Sequence, residues 1–244
     1  MNSRRLLLDA GNTRLKWVVV EDRKWLAQGS APYNDLSAIT PVLQQQATCY
    51  IASVVRTQHE VQIAALLASH SLTPIWLTTE STFSDVGNTY LIPLQLGVDR
   101  WMGLLASRQR SQVATLVVSV GTAMTVDALS GEGEFLGGLI VPGIVLMQQA
   151  LQQGTSNVAE VSGICQAFPR TTADAVQSGI ISALCGAIQR QFEHLTKVAG
   201  KPPRVILTGG DAEALLPFLD MQVEWVPLLV LEGMERVTRE GELQ

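Results

Sequence analysis

Two segments of similar design set the strongest constraint on how this 244-residue chain can fold. Residues 6–20 and residues 116–129 each consist of two apolar, strand-like runs joined by a short polar tip that contains glycine and threonine. Such runs around such a tip are typical of β-hairpins. The two segments superpose with Asp9 on Ser119, an offset of 110 residues, which indicates an internal duplication.

The rest of the chain alternates strand-like and helix-like stretches, and glycine-rich junctions follow several strands. This alternation predicts an α/β fold with mixed sheets flanked by helices. No linker rich in proline, glycine and serine divides the chain, so we expect two tightly packed lobes, residues 1–112 and 113–244. The charged segment 232–242 predicts a solvated helix or a frayed tail.

Composition limits the class of partner. The chain is 47% hydrophobic and 16% charged, which is too apolar for disorder, and its apolar runs fall short of the roughly 18 residues of a membrane span. A net charge of -5 without a dense basic block argues against nucleic-acid binding. Cys49, Cys165 and Cys185 are too widely spaced for a disulfide framework or a metal-binding pair. We therefore expect a cytoplasmic protein with small-molecule partners.

The first polar tip has the residue types that a magnesium–nucleotide site requires. Asp9 ends a buried strand and could reach a metal ion through water, while the tip offers amides and hydroxyls to phosphate oxygens. Lys16 in the returning strand could reach the phosphates. An ordinary hairpin explains this tip equally well. The second tip, with Thr122 equivalent to Thr13, favours two hairpins that grip a polyphosphate. At this level the chain resembles the superfamily of acetate and sugar kinases, heat-shock ATPases and actin.

Other nucleotide-binding motifs are missing from the sequence. Neither GxxxxGK[ST] nor GxGxxG occurs, which argues against P-loop and Rossmann sites. A Gly209-Gly210 pair follows the apolar strand 205–207, where that superfamily places its adenosine pocket. Because a strand followed by two glycines is usually a tight turn, this junction only supports the interpretation.

An acid and a base stand side by side in Gly97-Val98-Asp99-Arg100, at the start of an apparent helix. An aspartate there is commonly an N-cap, and an adjacent arginine is commonly a surface charge. Beside two phosphate-binding hairpins, the pair also suits phosphoryl transfer to a hydroxyl, with the aspartate accepting the proton and the arginine holding an anion.

Seven motifs together resemble the type III pantothenate kinases, and their order along the chain is the order in that family. They are DAGNTRLK, ASVV, NTY, GVDR, GTAMTVD, GGLIVPG and TTADAVQSG. Each motif alone is weak, whereas the ordered set covers most of the chain. The resemblance implies a duplicated actin-like, ribonuclease H-like fold, with ATP in the cleft between the lobes.

The resemblance also implies the residues of each site. Those implied for ATP are Asp9, Ala10, Gly11, Asn12, Thr13, Arg14, Leu15, Lys16 and Thr122. Those implied for pantothenate are Tyr90, Gly97, Val98, Asp99, Arg100 and Thr172. Asp99 would be the general base, Arg100 would bind the pantothenate carboxylate, and Asp9 would associate with Mg²⁺. The family further implies a homodimer with the acceptor pocket near the interface.

One position departs from the family pattern. Many members carry an aspartate where this chain has Ser119, and that aspartate helps to hold a potassium or ammonium ion. A serine supplies an oxygen without a charge, which puts a tight cation site in doubt. Some relatives with serine here are known as accessory factors for virulence gene expression.

Three hypotheses follow. The first is transfer of the ATP γ-phosphate to pantothenate, the first step of coenzyme A biosynthesis. The second is an actin-fold kinase for another small hydroxylated acceptor, against which Tyr90 and the GVDR segment argue. The third is a non-catalytic, nucleotide-binding regulator, which a missing Asp99 would have favoured.

Overall fold

The computed structural model describes residues 4–43, 47–80, 82–155 and 163–240. Within these ranges the strands are β1 (Arg5–Ala10), β2 (Arg14–Glu21), β3 (Lys24–Pro32), β4 (Thr48–Ser53), β5 (Pro74–Trp76), β6 (Thr82–Phe83), β7 (Val86–Asn88), β8 (Thr115–Val120), β9 (Ala123–Leu129), β10 (Glu134–Pro142), β11 (Arg204–Thr208) and β12 (Glu224–Trp225). The helices are α1 (Thr40–Leu43), α2 (Thr57–Ser69), α3 (Val98–Arg110), α4 (Ile144–Gly154), α5 (Thr172–Ala199) and α6 (Leu229–Glu240).

The chain forms two compact units, residues 1–110 with 228–244, and residues 111–227. In the first unit, the strands of one sheet lie in the order β3-β2-β1-β4-β5, with β1 antiparallel to β2 and parallel to β4. In the second unit, five strands lie in the corresponding order β10-β9-β8-β11-β12, with β8 antiparallel to β9 and parallel to β11. This repeated topology confirms the predicted duplication.

The burial of the central strands explains the continuous apolar runs by which the hairpins were predicted. Leu6, Leu7 and Leu8 of β1 are all buried, as expected for a strand with neighbours on both sides and elements packed on both faces. In the second unit, β8 has the same character, and one stripe of α5 packs into its core. The stripe consists of Ile180, Ile181, Leu184 and Ile188.

The C-terminal helix corrects one expectation. Instead of a solvated helix or a frayed tail, α6 packs against α3 within the first unit, as far as it is described. A Cβ added at Gly233 would overlap the Met102 carbonyl oxygen, so the two helices touch backbone to backbone. Leu231 and Met234 are fully buried between the charged residues that dominated the sequence pattern. The helix thus lies in a different unit from residues 113–227, with which the predicted lobe boundary had grouped it.

Candidate active site

The first tip places Asp9 at the end of β1, directly opposite Lys16 in the register of β1 and β2. The Asp9 carboxyl group is only 7% exposed. Burial raises its pKa to about 7, while the positive charge of Lys16 acts in the opposite direction and the negative charge of Asp99 adds to the increase. Asp9, Lys16 and Asp99 therefore share one electrostatic environment within the first unit.

Some of the residues predicted around this tip have buried side chains, and others have exposed side chains. Ala10 and Leu15 are fully buried in the core of the first unit, so they can offer a ligand only backbone atoms. Asn12 and Thr13 are exposed at the tip. The Arg14 side chain is also exposed, and its Nε donates to Ser30 Oγ at 3.3 Å on the neighbouring strand β3.

Tyr33 supports the tip and was missed in the sequence. Its hydroxyl donates to the Gly11 carbonyl oxygen at 2.8 Å, and its ring stacks on His59 with 4.1 Å between the centroids. Burial, and then the nearby charge of Asp9, raises the pKa of the Tyr33 hydroxyl. This keeps the hydroxyl protonated as a donor. No motif could have indicated the contact, because Tyr33 is 22 residues from Gly11.

The predicted acceptor residues of the first unit come together around the start of α3. Arg100 is buried, its guanidinium donates to the Tyr90 hydroxyl at 3.2 Å, and Cζ lies 5.8 Å from the Tyr90 ring centroid. Asp99 Oδ1 accepts from the Arg100 backbone N–H at 2.8 Å. Burial raises the pKa of Asp99, and the hydrogen bond and charge of Arg100 partly oppose that increase. Val98 points into the core.

Gly97 fits closely beneath the Asp99 carboxylate. A Cβ at this position would lie 2.7 Å from Asp99 Oδ1 and 3.8 Å from Val54 Cγ1. The Gly97 carbonyl oxygen accepts the first main-chain hydrogen bond of the helix, from the Trp101 N–H at 3.0 Å. The glycine therefore lets the backbone turn into α3 without displacing the carboxylate.

In the second unit, the exposed Thr122 lies in a tip where backbone segments approach very closely. A Cβ at Gly143 would overlap the Gly121 carbonyl oxygen, and the Gly143 N–H donates to the Thr122 carbonyl oxygen at 2.9 Å. Gly209, with a φ of +100°, likewise lies against the Val120 carbonyl oxygen. The Gly209-Gly210 junction and the second tip are therefore neighbours, as an adenosine-and-phosphate site would need.

Ser119 and Thr172 complete the predicted set. Ser119 pairs with Thr125 on β9 and with Thr208 on β11, so its surroundings in the register are uncharged. Thr172 is the first residue of α5, is exposed, and lines an apolar groove between α4 and α5 together with Met147 and Val176.

The described ranges hold neither a cluster of metal-ligating side chains nor a membrane-spanning helix. No group of three or more histidine, cysteine, aspartate or glutamate side chains converges there as a metal site would require. Within the same ranges, each helix is too short or too polar to cross a lipid bilayer.

Known proteins include relatives that match almost the whole chain. The sequence profile of the type III pantothenate kinases matches residues 5–194. A Thiobacillus denitrificans protein named type III pantothenate kinase is 57% identical over 241 residues, which cover 99% of each chain.

Solved structures share the fold at low sequence identity. A Campylobacter jejuni protein, provisionally described as a Baf family transcriptional activator, is 22% identical, with a TM-score of 0.62 over 98% of this chain and 100% of the other. A Sinorhizobium meliloti protein, provisionally named a 2-dehydro-3-deoxygalactonokinase, is 12% identical, with a TM-score of 0.63 over 97% and 98%. The predicted two-lobe, actin-like α/β fold is thus confirmed. Because both the profile and a full-length relative match, the chain belongs to the type III pantothenate kinase family of phosphotransferases.

Proposed function

We propose that this protein transfers the γ-phosphoryl group of ATP to the primary hydroxyl of pantothenate, the first step of coenzyme A biosynthesis. The hydroxyl oxygen forms the new bond to phosphorus, the bond from the γ-phosphorus to the bridging oxygen breaks, and ADP leaves. The observation that carries this proposal is the cluster of Asp99, Arg100 and Tyr90 at the start of α3, in the electrostatic reach of Asp9.

Asp99 is the general base of the proposed reaction. Its raised pKa makes the carboxylate a stronger proton acceptor than an exposed aspartate, and general bases work best when their pKa approaches the working pH. The Arg100 N–H fixes one carboxylate oxygen at 2.8 Å, which orients the group at the helix start. The carboxylate takes the proton from the pantothenate hydroxyl as that oxygen attacks phosphorus.

Arg100 and Tyr90 form the acceptor-binding part of the site. A buried guanidinium is a strong partner for a carboxylate, and pantothenate carries one at the end remote from its primary hydroxyl. The Tyr90 hydroxyl holds the guanidinium from one side, which limits its rotation. Thr172, at the start of α5, is proposed as a further pantothenate contact.

Each unit carries groups that suit ATP. Lys16, Asn12 and Thr13 offer charge and donors at the first tip, and Thr122 does so at the second. Gly210 presents open backbone for the adenosine, since nothing lies within 4 Å of a Cβ there, whereas Gly209 packs against the Val120 carbonyl oxygen.

The residues at Asp9 fit a magnesium ion carried by ATP. Mg²⁺ in kinases is held by phosphates and one or two carboxylates, so a larger protein cluster is not needed. The pKa of about 7 at Asp9 indicates a buried carboxyl group with too little positive charge around it, which a divalent cation would supply. When bound, Mg²⁺ would offset the charge that develops on the phosphate oxygens.

Three further properties belong to this proposal. A monovalent cation, potassium or ammonium, would be held less tightly than by an aspartate, because Ser119 brings no charge. We also propose a homodimer, as in the family, and a cytoplasmic location, in keeping with the widely spaced cysteines.

Gly97→Ala tests whether the position of the Asp99 carboxylate matters. The added methyl group would force Oδ1 to move from its 2.7 Å position, while the fold should tolerate the change because the displaced atom ends a side chain. We expect kcat to fall about tenfold or more with the melting temperature nearly unchanged. Gly186→Ala, on an open position of α5, is the matched control. Unchanged kcat in Gly97→Ala would contradict the tight fit.

The experiment that tests the function is ADP release by the purified protein with Mg-ATP, with and without pantothenate. Parallel buffers contain sodium, potassium or ammonium as the single monovalent cation. Turnover that depends on pantothenate would support the kinase, and similar rates in all three buffers would support a relaxed cation requirement at Ser119.

Two outcomes would favour the other hypotheses. Turnover with another small hydroxylated acceptor, and none with pantothenate, would favour a different kinase. Binding of ATP without turnover would favour the regulator, the class of function in the name of the Campylobacter jejuni relative.

A further inference from the structure

Two buried polar side chains stand at the base of the β6–β7 hairpin in the first unit. Thr79 precedes the hairpin, Asn88 ends it, and they are 5% and 8% exposed. A buried polar side chain is costly unless hydrogen bonds satisfy it. Both side chains therefore hold partners, and the partners lie on the segment that leads to the acceptor residues.

Asn88 makes three hydrogen bonds that close this segment into a loop. Its Nδ2 donates to the Glu80 carbonyl oxygen at 3.3 Å and to the Pro93 carbonyl oxygen at 3.1 Å. Its Oδ1 accepts from the Tyr90 N–H at 3.1 Å. One amide thus joins the segment before the hairpin, the residue that binds Arg100, and the turn that follows.

Thr79 fixes the far end of the same loop. Its hydroxyl donates to the Leu96 carbonyl oxygen at 2.7 Å, immediately before Gly97. Residues 89–96, here named the acceptor loop, are therefore anchored at both ends by buried side chains at the base of one hairpin.

The hairpin is in turn fixed to the helices. Asp85 lies in the turn between β6 and β7. Its carboxylate accepts hydrogen bonds from Arg108 Nε of α3 and from Arg236 of α6, each at 2.7 Å. Arg236 also donates to the Leu105 carbonyl oxygen at 2.9 Å, and its Cζ lies 6.0 Å from the centroid of the Phe83 ring. Because α3 begins with Asp99 and Arg100, the loop and the catalytic helix share one support.

We propose that Asn88 is a positioning residue for the acceptor site, and that it acts through Tyr90. By holding the Tyr90 backbone, it places the phenol hydroxyl against the Arg100 guanidinium and so sets the orientation of the group that binds the acceptor carboxylate. Asn88 does not itself touch the substrate. The inference rests on the proposed function for its kinetic consequence, whereas its structural part concerns the acceptor loop alone.

Asn88→Ala and Asn88→Asp test the role of the amide. Alanine removes all three hydrogen bonds. Aspartate keeps the size of the side chain and an acceptor for the Tyr90 N–H, but it cannot donate to the two carbonyl oxygens, and repulsion between them and its negative charge should turn it away from its position beside Tyr90. We expect both variants to raise KM for pantothenate about tenfold, with KM for ATP within about twofold of the starting protein. Thr115→Val is the matched control, because Thr115 is equally buried and its hydroxyl donates to the Val113 carbonyl oxygen in the second unit.

A double-mutant cycle with Tyr90→Phe identifies the route. If Asn88 acts through Tyr90, Asn88→Ala should add little once the tyrosine hydroxyl is gone, so the two effects on KM should not multiply. Multiplied effects, an equal rise in both KM values, or an unchanged KM for pantothenate would overturn the proposal.

Hydrogen exchange provides a readout that does not depend on turnover. Backbone amides of the acceptor loop should exchange at least about tenfold faster in Asn88→Ala than in the starting protein, with no change in Thr115→Val. Unchanged exchange would overturn the proposal even if the kinase is active. A starting protein that does not phosphorylate pantothenate would instead contradict the proposed function, and the exchange result would still decide the role of Asn88.

Discussion

Asp99→Asn is expected to lower kcat for pantothenate phosphorylation by about 10²- to 10⁴-fold, the usual contribution of a general base. The amide matches the carboxylate in size and can still accept from the Arg100 N–H, so the start of α3 should keep its shape. It cannot take the proton from the attacking hydroxyl. ATP affinity should change much less than kcat, because Asp99 makes its hydrogen bond to the Arg100 N–H and acts on Asp9 of the first tip through its charge alone.

Steady-state kinetics and calorimetric titration with ATP separate these effects. Asp35→Asn is the control, since Asp35 is an exposed aspartate whose contact with the Ser37 N–H an asparagine can also make. Near-normal turnover in Asp99→Asn would remove Asp99 from the role of base. A loss of ATP binding equal to the loss of turnover would point to a structural role.

The pH profile gives an independent check on the same residue. Burial raises the pKa of Asp99, so the protonated, inactive form persists to a higher pH than for an exposed aspartate. The kcat/KM value of the wild-type protein should therefore fall as the pH is lowered through a range above 3.8, the ordinary aspartate pKa. The residual activity of Asp99→Asn should lose the part of this decline that belongs to Asp99, while a decline that follows the titration of Asp9 near pH 7 should remain.

Local patterns predicted the elements that carry the proposed phosphate-binding groups. The apolar runs of β1 and β8 are continuous because both strands are central in their sheets, and the polar tips interrupt them sharply. The register places Asp9 opposite Lys16, which explains how residues seven positions apart come to lie side by side. The helix start at Asp99 also matched its pattern.

Contacts between distant segments could not be predicted in the same way. Tyr33, the residue directly after β3, donates a hydrogen bond to Gly11. Asn88 forms hydrogen bonds with three partners whose sequence positions follow no regular spacing. For α6, the charged residues dominated the pattern, although they bracket an apolar stripe and partly pair with each other, as Arg239 does with Glu235. A solvated and a packed amphipathic helix differ in tertiary partners, which one sequence does not reveal.

Asp9→Asn is expected to stabilise the protein without ligands while abolishing kinase activity. In the folded state the pKa of Asp9 is raised from 3.8 to about 7, so between these pH values the folded chain binds more protons than the unfolded chain. The free energy of unfolding should then decrease as the pH rises through this window. Above pH 7 the ionised carboxylate would cost on the order of a few kcal/mol, which an asparagine avoids.

Urea denaturation at pH 4 and pH 8, with a chelator and without nucleotide, measures this difference. The gain in unfolding free energy for Asp9→Asn should be large at pH 8 and small at pH 4, where the wild-type carboxyl is mostly protonated in the folded state. Asp35→Asn should show no such gain, because its hydrogen bonds lower rather than raise the pKa. A less stable Asp9→Asn protein at pH 8 would mean that attraction to Lys16 outweighs burial. A gain would instead show that the chain keeps a destabilising carboxylate where a phosphate-bound cation needs one.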